Sequence, residues 1–270
     1  VPVSFDAILP HVTPFVLVLS RVGGLFLFAP LLSSPAIPRQ VRIVMVIALT
    51  LTVYPTVDHA PALELRPDLL GLAPIVATET LIGMSIGLFA NLPLMFVQLG
   101  GLLMGQQMGL GIAQIINPAT NIQGDNLGQT LFLMTLALFT LLGGVELLWG
   151  ALVHTFAIVP LAAFRLELAP LDVVVGLTQA GFEMAVRVAM PVLVIIFLEN
   201  IALGFIMKTV PALNILSFGF PIRILIGLIV FVAALDFMRV TIDEELDRAV
   251  QATQDWVLSL AAPPTPEARP

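Results

Sequence analysis

The chain has 270 residues, of which 59% are apolar and only 11% charged, with a formal net charge of −7 and no cysteine. Soluble domains run nearer half apolar and a quarter charged, so lipid or other protein must be the solvent for most of this chain. The absence of cysteine excludes disulfides, iron–sulfur clusters and thiolate zinc sites, and the acidic balance lacks the basic face that nucleic-acid binding requires.

No basic n-region precedes the first apolar run, so no removable signal peptide is expected. Stretches suited to a crossing of about 20 residues are Phe15–Leu32, Val41–Tyr54 with its flanks, Leu72–Leu99, Leu127–Trp149, Ala185–Met207 and Leu213–Leu235. The breaks between them are Ser33 to Gln40, Pro55 to Pro67, Asn117 to Asn126 and Arg165 to Asp172. A barrel would show short alternating segments instead, so the expected class is all-α, a helical membrane protein. Pro93, Pro191 and Pro221 fall inside apolar runs and are expected to interrupt or kink them.

Thr80 to Gly124 holds no charged residue yet carries Gln98, Gln106, Gln107, Gln114 and Asn117. That pattern predicts two apolar helices and a re-entrant or pore-lining loop packed against protein. After Leu235 the composition changes. Residues 241–260 place Ile242, Leu246, Val250, Val257 and Leu260 at helical spacing opposite Asp243, Glu244, Glu245 and Asp247. This predicts an acidic amphipathic helix docking on protein. Residues 261–270 read as a disordered tail.

Gly83-Met84-Ser85-Ile86-Gly87 matches the G-x-S-x-G of hydrolases, but it lies in an apolar helical run with no triad partners in order. The alternative is a helix–helix contact through Gly83 and Gly87. Gly101, Gly105 and Gly109 share the spacing. His11, His59 and His154 have no metal-ligand spacing, so neither a catalytic centre nor a cofactor is expected. Six ionisable residues sit inside apolar runs: Arg21, Glu79, Glu146, Arg187, Glu199 and Arg223. Each costs about 2.5–3.5 kcal/mol at a helix centre, so each is expected at a helix or subunit contact. A proton relay through Glu199 is the competing reading.

Several ordered blocks carry a resemblance. Gly105-Gln106-Gln107-Met108-Gly109-Leu110-Gly111 leading to Ile116-Asn117-Pro118-Ala119 resembles the central signature of the flagellar biosynthetic protein FliR family, which includes counterparts in virulence injectisomes. Arg21-Val22-Gly23-Gly24 with Ala29-Pro30 and Pro38, then Gly143-Gly144 with His154-Thr155-Phe156 and Pro160, are similar to its earlier blocks. Ala202-Leu203-Gly204 through Pro211-Ala212-Leu213-Asn214 to Gly219-Phe220-Pro221 is similar to its C-terminal one. The sequence departs from the family at Asn117, often Asp, at Val145-Glu146, where a His is common, and at Ala212, often Gln.

The resemblance implies kinked helical hairpins in a helical pseudo-symmetric ring. Residues 1–240 would then form the export-gate domain of a single-copy subunit, assembled with FliP, FliQ and FlhB. It implies a place in the bacterial inner membrane, in the flagellar basal body, and unfolded flagellar proteins as cargo. It further implies a pore plug in the loop from Gly105 to Asn126. Met104, Met108, Ile115 and Ile116 would seal it, Gln106, Gln107 and Asn117 would hydrogen-bond its closed form, and Gly105, Gly109, Gly111 and Pro118 would shape it. An injectisome subunit shares all of these features, and a secondary transporter remains a further alternative.

Overall fold

A computed structural model describes residues 5–59, 69–110, 126–163, 170–209 and 215–260. Among these residues the regular structure is entirely helical. The helices are α1 (Phe5–Phe28), α2 (Arg39–Val53), α3 (Leu69–Gln107), α4 (Asn126–Leu141), α5 (Gly144–Ile158), α6 (Leu171–Thr209), α7 (Ile215–Ala233) and α8 (Leu235–Ser259). A single 3₁₀ turn, Tyr54–Thr56, follows α2.

Among the described residues, three stretches are long and apolar enough to cross a membrane: Pro10–Phe28, Gly71–Gln107 and Leu171–Thr209. The broken pairs α4/α5 and α7/α8 raise the number to five if each is one span. The expected run Leu127–Trp149 is therefore not one helix. It breaks where Gly143 takes φ +77°. That left-handed conformation suits glycine, which has no Cβ to clash. The run Val41–Tyr54 corresponds to the 15-residue α2. With a rise of about 1.5 Å per residue, this helix spans about 22 Å, too short for the bilayer core.

The prolines do not end their helices, contrary to the expected interruptions. Pro191 and Pro221 lie inside α6 and α7, and α3 runs unbroken through Pro93. A proline removes one backbone bond, whereas ending a helix among apolar neighbours would strand several donors and acceptors, so the helix continues. The expected division of Thr80 to Gly124 is shifted for the same reason. Gln98, Gln106 and Gln107 stand on one continuous helix that ends only at Gln107.

The chain forms two compact units. The first takes in residues 1–91, 140–175 and 249–270. There α1 and α3 cross at backbone contact: a Cβ on Gly83 would lie 1.9 Å from the Arg21 carbonyl oxygen, and one on Gly24 2.3 Å from that of Thr80. A Cβ on Gly87 would lie 2.8 Å from both Ala29 N and Leu25 O. Gly83 and Gly87 are thus a helix contact, and Ser85 Oγ donates to the Leu81 carbonyl of its own helix at 2.7 Å. Leu17, Val22, Leu25, Ile82, Ile86 and Leu152 fill the core around this crossing. Trp256 of α8 sets its ring edge-on to Phe89 at 5.5 Å.

The second unit takes in residues 92–139 and 176–248. Gly101 lies against Gly128 of α4, with 2.5 Å from an added Cβ to Cα, and Gly100 against the Ala185 carbonyl at 2.8 Å. The Phe96 ring covers Gly181 and packs edge-on to Phe182 at 4.9 Å. Helix α8 begins at Leu235, ahead of the expected start at Thr241. Within this unit its Met238, Ile242 and Leu246 are buried, and Ala249, Trp256 and Val257 of the same helix are buried in the first. Of the expected pattern, Val250 is only half-buried, and Glu245, expected on the exposed acidic side, is buried.

Candidate functional site

Two places concentrate the expected site residues. One is a buried charge node in the first unit. Arg21 of α1 and Glu79 of α3 are both fully buried and form an ion pair, with Nε donating to Oε2 at 2.6 Å. The close α1–α3 crossing brings the two Cα traces near enough for this short contact, which is why the glycines and the charges occur together. Arg21 Nη1 donates to Thr155 Oγ1 at 3.3 Å, and Nη1 and Nη2 both donate to the Val159 carbonyl at 3.2 Å. The guanidinium lies over the Phe156 ring, 4.4 Å from its centroid, a favourable cation–π contact. The other Glu79 oxygen accepts the Ala162 N–H at 2.9 Å.

Ala162 holds φ +65°. For a residue with a Cβ this left-handed conformation costs about 1–2 kcal/mol. The Glu79 carboxylate anchors that turn by taking its N–H. The node therefore links α1, α3, α5 and the turn after α5 through hydrogen bonds from nearly every polar atom involved. Such satisfaction is what a buried pair needs to offset desolvation. It leaves no carboxylate oxygen free for proton transfer and fits a register-fixing role.

The remaining ionisable residues are distributed differently. Glu146 is exposed in the first turn of α5. Arg187 is exposed on α6, bonded to Glu183 one turn earlier at 2.6 Å and 4.0 Å from Glu244 of α8. Glu199 is buried and stands 3.5 Å from Arg223 Nε. Neither of its carboxylate oxygens accepts a hydrogen bond, nor does Arg223 Nε donate one. Arg223 Nη2 instead donates to Asn200 Oδ1.

The second place is the C-terminal end of α3. Met104 and Met108 are buried, whereas Gln106 and Gln107 are exposed. Gly109 adopts φ +81°. Its N–H donates to the Gln106 carbonyl at 3.0 Å, and Leu110 N–H reaches back to the Gly105 carbonyl at 3.0 Å. These two bonds form a Schellman cap, which requires a left-handed residue at Gly109. Met108 packs on Gly227 of α7, where an added Cβ would meet its Cγ at 2.6 Å. Gly111, Ile115, Ile116, Asn117 and Pro118 lie outside the described residues.

Sequence reasoning identified Arg21 and Glu79 but not their link, nor Thr155, Phe156, Val159 and Ala162 as their partners. The block His154-Thr155-Phe156 was a signal for two of them. Gly227 carried no signal as the seat of Met108.

The family described as bacterial export proteins, family 1, matches residues 12–249. The flagellar biosynthetic protein FliR of Bacillus subtilis (strain 168) is 27% identical over 231 residues, covering 84% of this chain and 88% of that protein. The FliR of Escherichia coli (strain K12) is 27% identical over 213 residues, covering 78% and 79%. The Yop proteins translocation protein T of Yersinia pestis is 27% identical over 221 residues, covering 81% and 84%. Since the family match runs through nearly every helix described above, the chain belongs to the FliR family of bacterial export proteins, membrane components of flagellar and type III secretion systems and not enzymes.

Proposed function

We propose that this chain is the single-copy subunit of a flagellar type III protein export gate, forming part of the secretion pore and its closing plug. It sits in the bacterial inner membrane within the flagellar basal body and assembles with FliP, FliQ and FlhB. Unfolded flagellar proteins are its cargo. The flagellar reading stands first because FliR proteins of two organisms match over most of the chain; the Yersinia protein, equally identical and with coverage between theirs, keeps the injectisome subunit as the alternative.

The observation that carries the plug assignment is the end of α3. A 39-residue helix stops at a glycine-capped terminus whose two methionines are buried and whose two glutamines are exposed. This supports a segment that leaves a rigid anchor at a fixed angle. Methionine is polarizable and unbranched, so Met104 and Met108 can repack as the segment beyond them moves. Ile115 and Ile116 would complete the apolar seal, and Gln106, Gln107 and Asn117 would hydrogen-bond the closed arrangement. Gly109 turns the backbone at the helix end, Gly105, Gly111 and Pro118 would shape the rest, and loops are where proteins place their low-stability elements.

The test is replacement of Gly109 by Val or Arg in a flagellated host whose own copy is deleted. Secretion of flagellar substrates should fall, or the membrane should become permeable to ions at rest. Normal swimming with unchanged permeability would overturn the plug assignment. Native mass spectrometry of the complex expressed with its sister subunits tests the copy number and the partners.

A further inference from the structure

A cleft of about 560 Å³ opens in the second unit, lined by Phe182, Glu183, Val186, Arg187 and Met190 of α6 and Phe237 of α8. Its lining is apolar, and Phe182, Val186, Met190 and Phe237 are each about half exposed. The cleft is built rather than incidental, because the Phe96 ring seats against Phe182 and over Gly181 beneath it. At its rim Arg187 is held between Glu183 and Glu244, at 2.6 and 4.0 Å. One cation between two carboxylates leaves the rim at a net charge of −1. Asp236 and Asp247, exposed on α8, add to the acidic field, and the nearby cation Arg239 is tied to Asp243 at 3.7 Å.

We infer that this cleft is the docking site for an apolar helix of another subunit of the export apparatus, seated with a lysine or arginine against Glu244. The inference rests on the multi-subunit assembly proposed above. Three properties of the cleft select that occupant. Its volume suits a few side chains of a helix laid into a groove, the mode in which residues at i, i+3 and i+4 serve as anchors. Its walls pair Met190 with Phe182 and Phe237, side chains that mould to an incoming apolar surface. Its rim charge selects among occupants: an anionic lipid headgroup is repelled, whereas a cationic side chain neutralises the surplus carboxylate as it is desolvated.

The cysteine-free chain makes a direct test practicable. Met190→Cys and Phe237→Cys each place one thiol in the cleft, and the full chain is purified both alone and with its co-expressed sister subunits. Native mass spectrometry first establishes whether the complex forms. A membrane-permeant maleimide should modify both thiols in the lone chain, in detergent and in lipid nanodiscs, and neither in the complex. Adding Glu244→Gln should restore modification in the complex, because the docked cation loses its partner. Equal modification in lone chain and intact complex would overturn the docking site while leaving the assembly standing. Protection in nanodiscs containing the lone chain would assign the cleft to lipid and overturn it also. Failure of the complex to form removes both the inference and the assembly on which it rests.

Discussion

Replacing Glu79 by Ala tests the node most sharply, because both partners are fully buried and every consequence can be traced to a named atom. The substitution removes the 2.6 Å bond from Arg21 Nε and strands the Ala162 N–H that Glu79 accepts at 2.9 Å. A hydrogen bond to a charged group contributes about 1.5–3 kcal/mol, and an orphaned buried donor costs about 1–3 kcal/mol. Together they bracket the roughly 3–5 kcal/mol lost when one member of a buried ion pair is removed. Glu79→Gln keeps one carbonyl acceptor but not the charge, so it should cost less than Glu79→Ala while still leaving the buried Arg21 uncompensated. The double variant Arg21→Met with Glu79→Leu leaves no uncompensated charge and should be more stable than Glu79→Ala alone. Equilibrium unfolding of the purified chain in mild detergent reads all three. With Arg21→Met and Glu79→Leu also measured singly, strict additivity of those two changes in the double variant, or a cost for Glu79→Ala below about 1 kcal/mol, would refute the claim that the pair acts as one satisfied unit.

Gly83→Ala should abolish the native α1–α3 crossing, because the added carbon would meet backbone at 1.9 Å. Gly150 has open space around it, so Gly150→Ala should stabilise α5 by up to about 1 kcal/mol. Comparative thermal unfolding of the two variants checks this, and tolerance at Gly83 would contradict the crossing. Gly109 holds φ +81°. Gly109→Ala should therefore cost about 1–2 kcal/mol, and Gly109→Asn should recover much of that loss. The same unfolding assay applies, with equal stability of Ala and Asn counting against the left-handed cap.

Much of this architecture was legible in the sequence because the bilayer imposes simple rules. Runs of apolar residues had to be helical, and charges buried inside them called for partners, as Arg21 and Glu79 have, whereas Glu146 stands exposed. The contact through Gly83 and Gly87 was legible for the same reason, since a serine flanked by small residues in an apolar helix has a packing explanation and no chemical one. Pairing was not legible. Arg21 and Glu79 are 58 positions apart, and nothing local distinguishes them from Arg187, which satisfies itself mainly with Glu183 one helical turn away. Proline was misleading because its penalty is scored against water. In apolar surroundings a helix broken at Pro93 would expose more unsatisfied backbone than the one bond the ring removes. The break at Gly143 was not read from the sequence, which took Leu127–Trp149 as one stretch; the left-handed φ that ends the helix there is visible only in the structure.

Helices α3 and α6 differ in how much of their surface the chain itself covers. Both have 39 residues. Of their most apolar windows, 67% is buried within the chain for α3 but only 17% for α6. Helix α3 is thus the internal scaffold, and its charges and glycines are spent inside the chain: Glu79 on Arg21, Gly83 and Gly87 on α1, Gly101 on α4. Helix α6 keeps Phe197, Phe205 and Leu171 well exposed beside Glu183, Arg187 and Asn200. Lipid would explain the phenylalanines but not the charges, which cost about 2.5–3.5 kcal/mol each where they face hydrocarbon near a helix centre. Protein explains both. The unspent surface of α6, rather than the satisfied node, is therefore where this chain's assembly is to be sought. Gly176 and Gly204 lie on that helix with open space where their side chains would be, and they are positions at which a neighbouring backbone can come close.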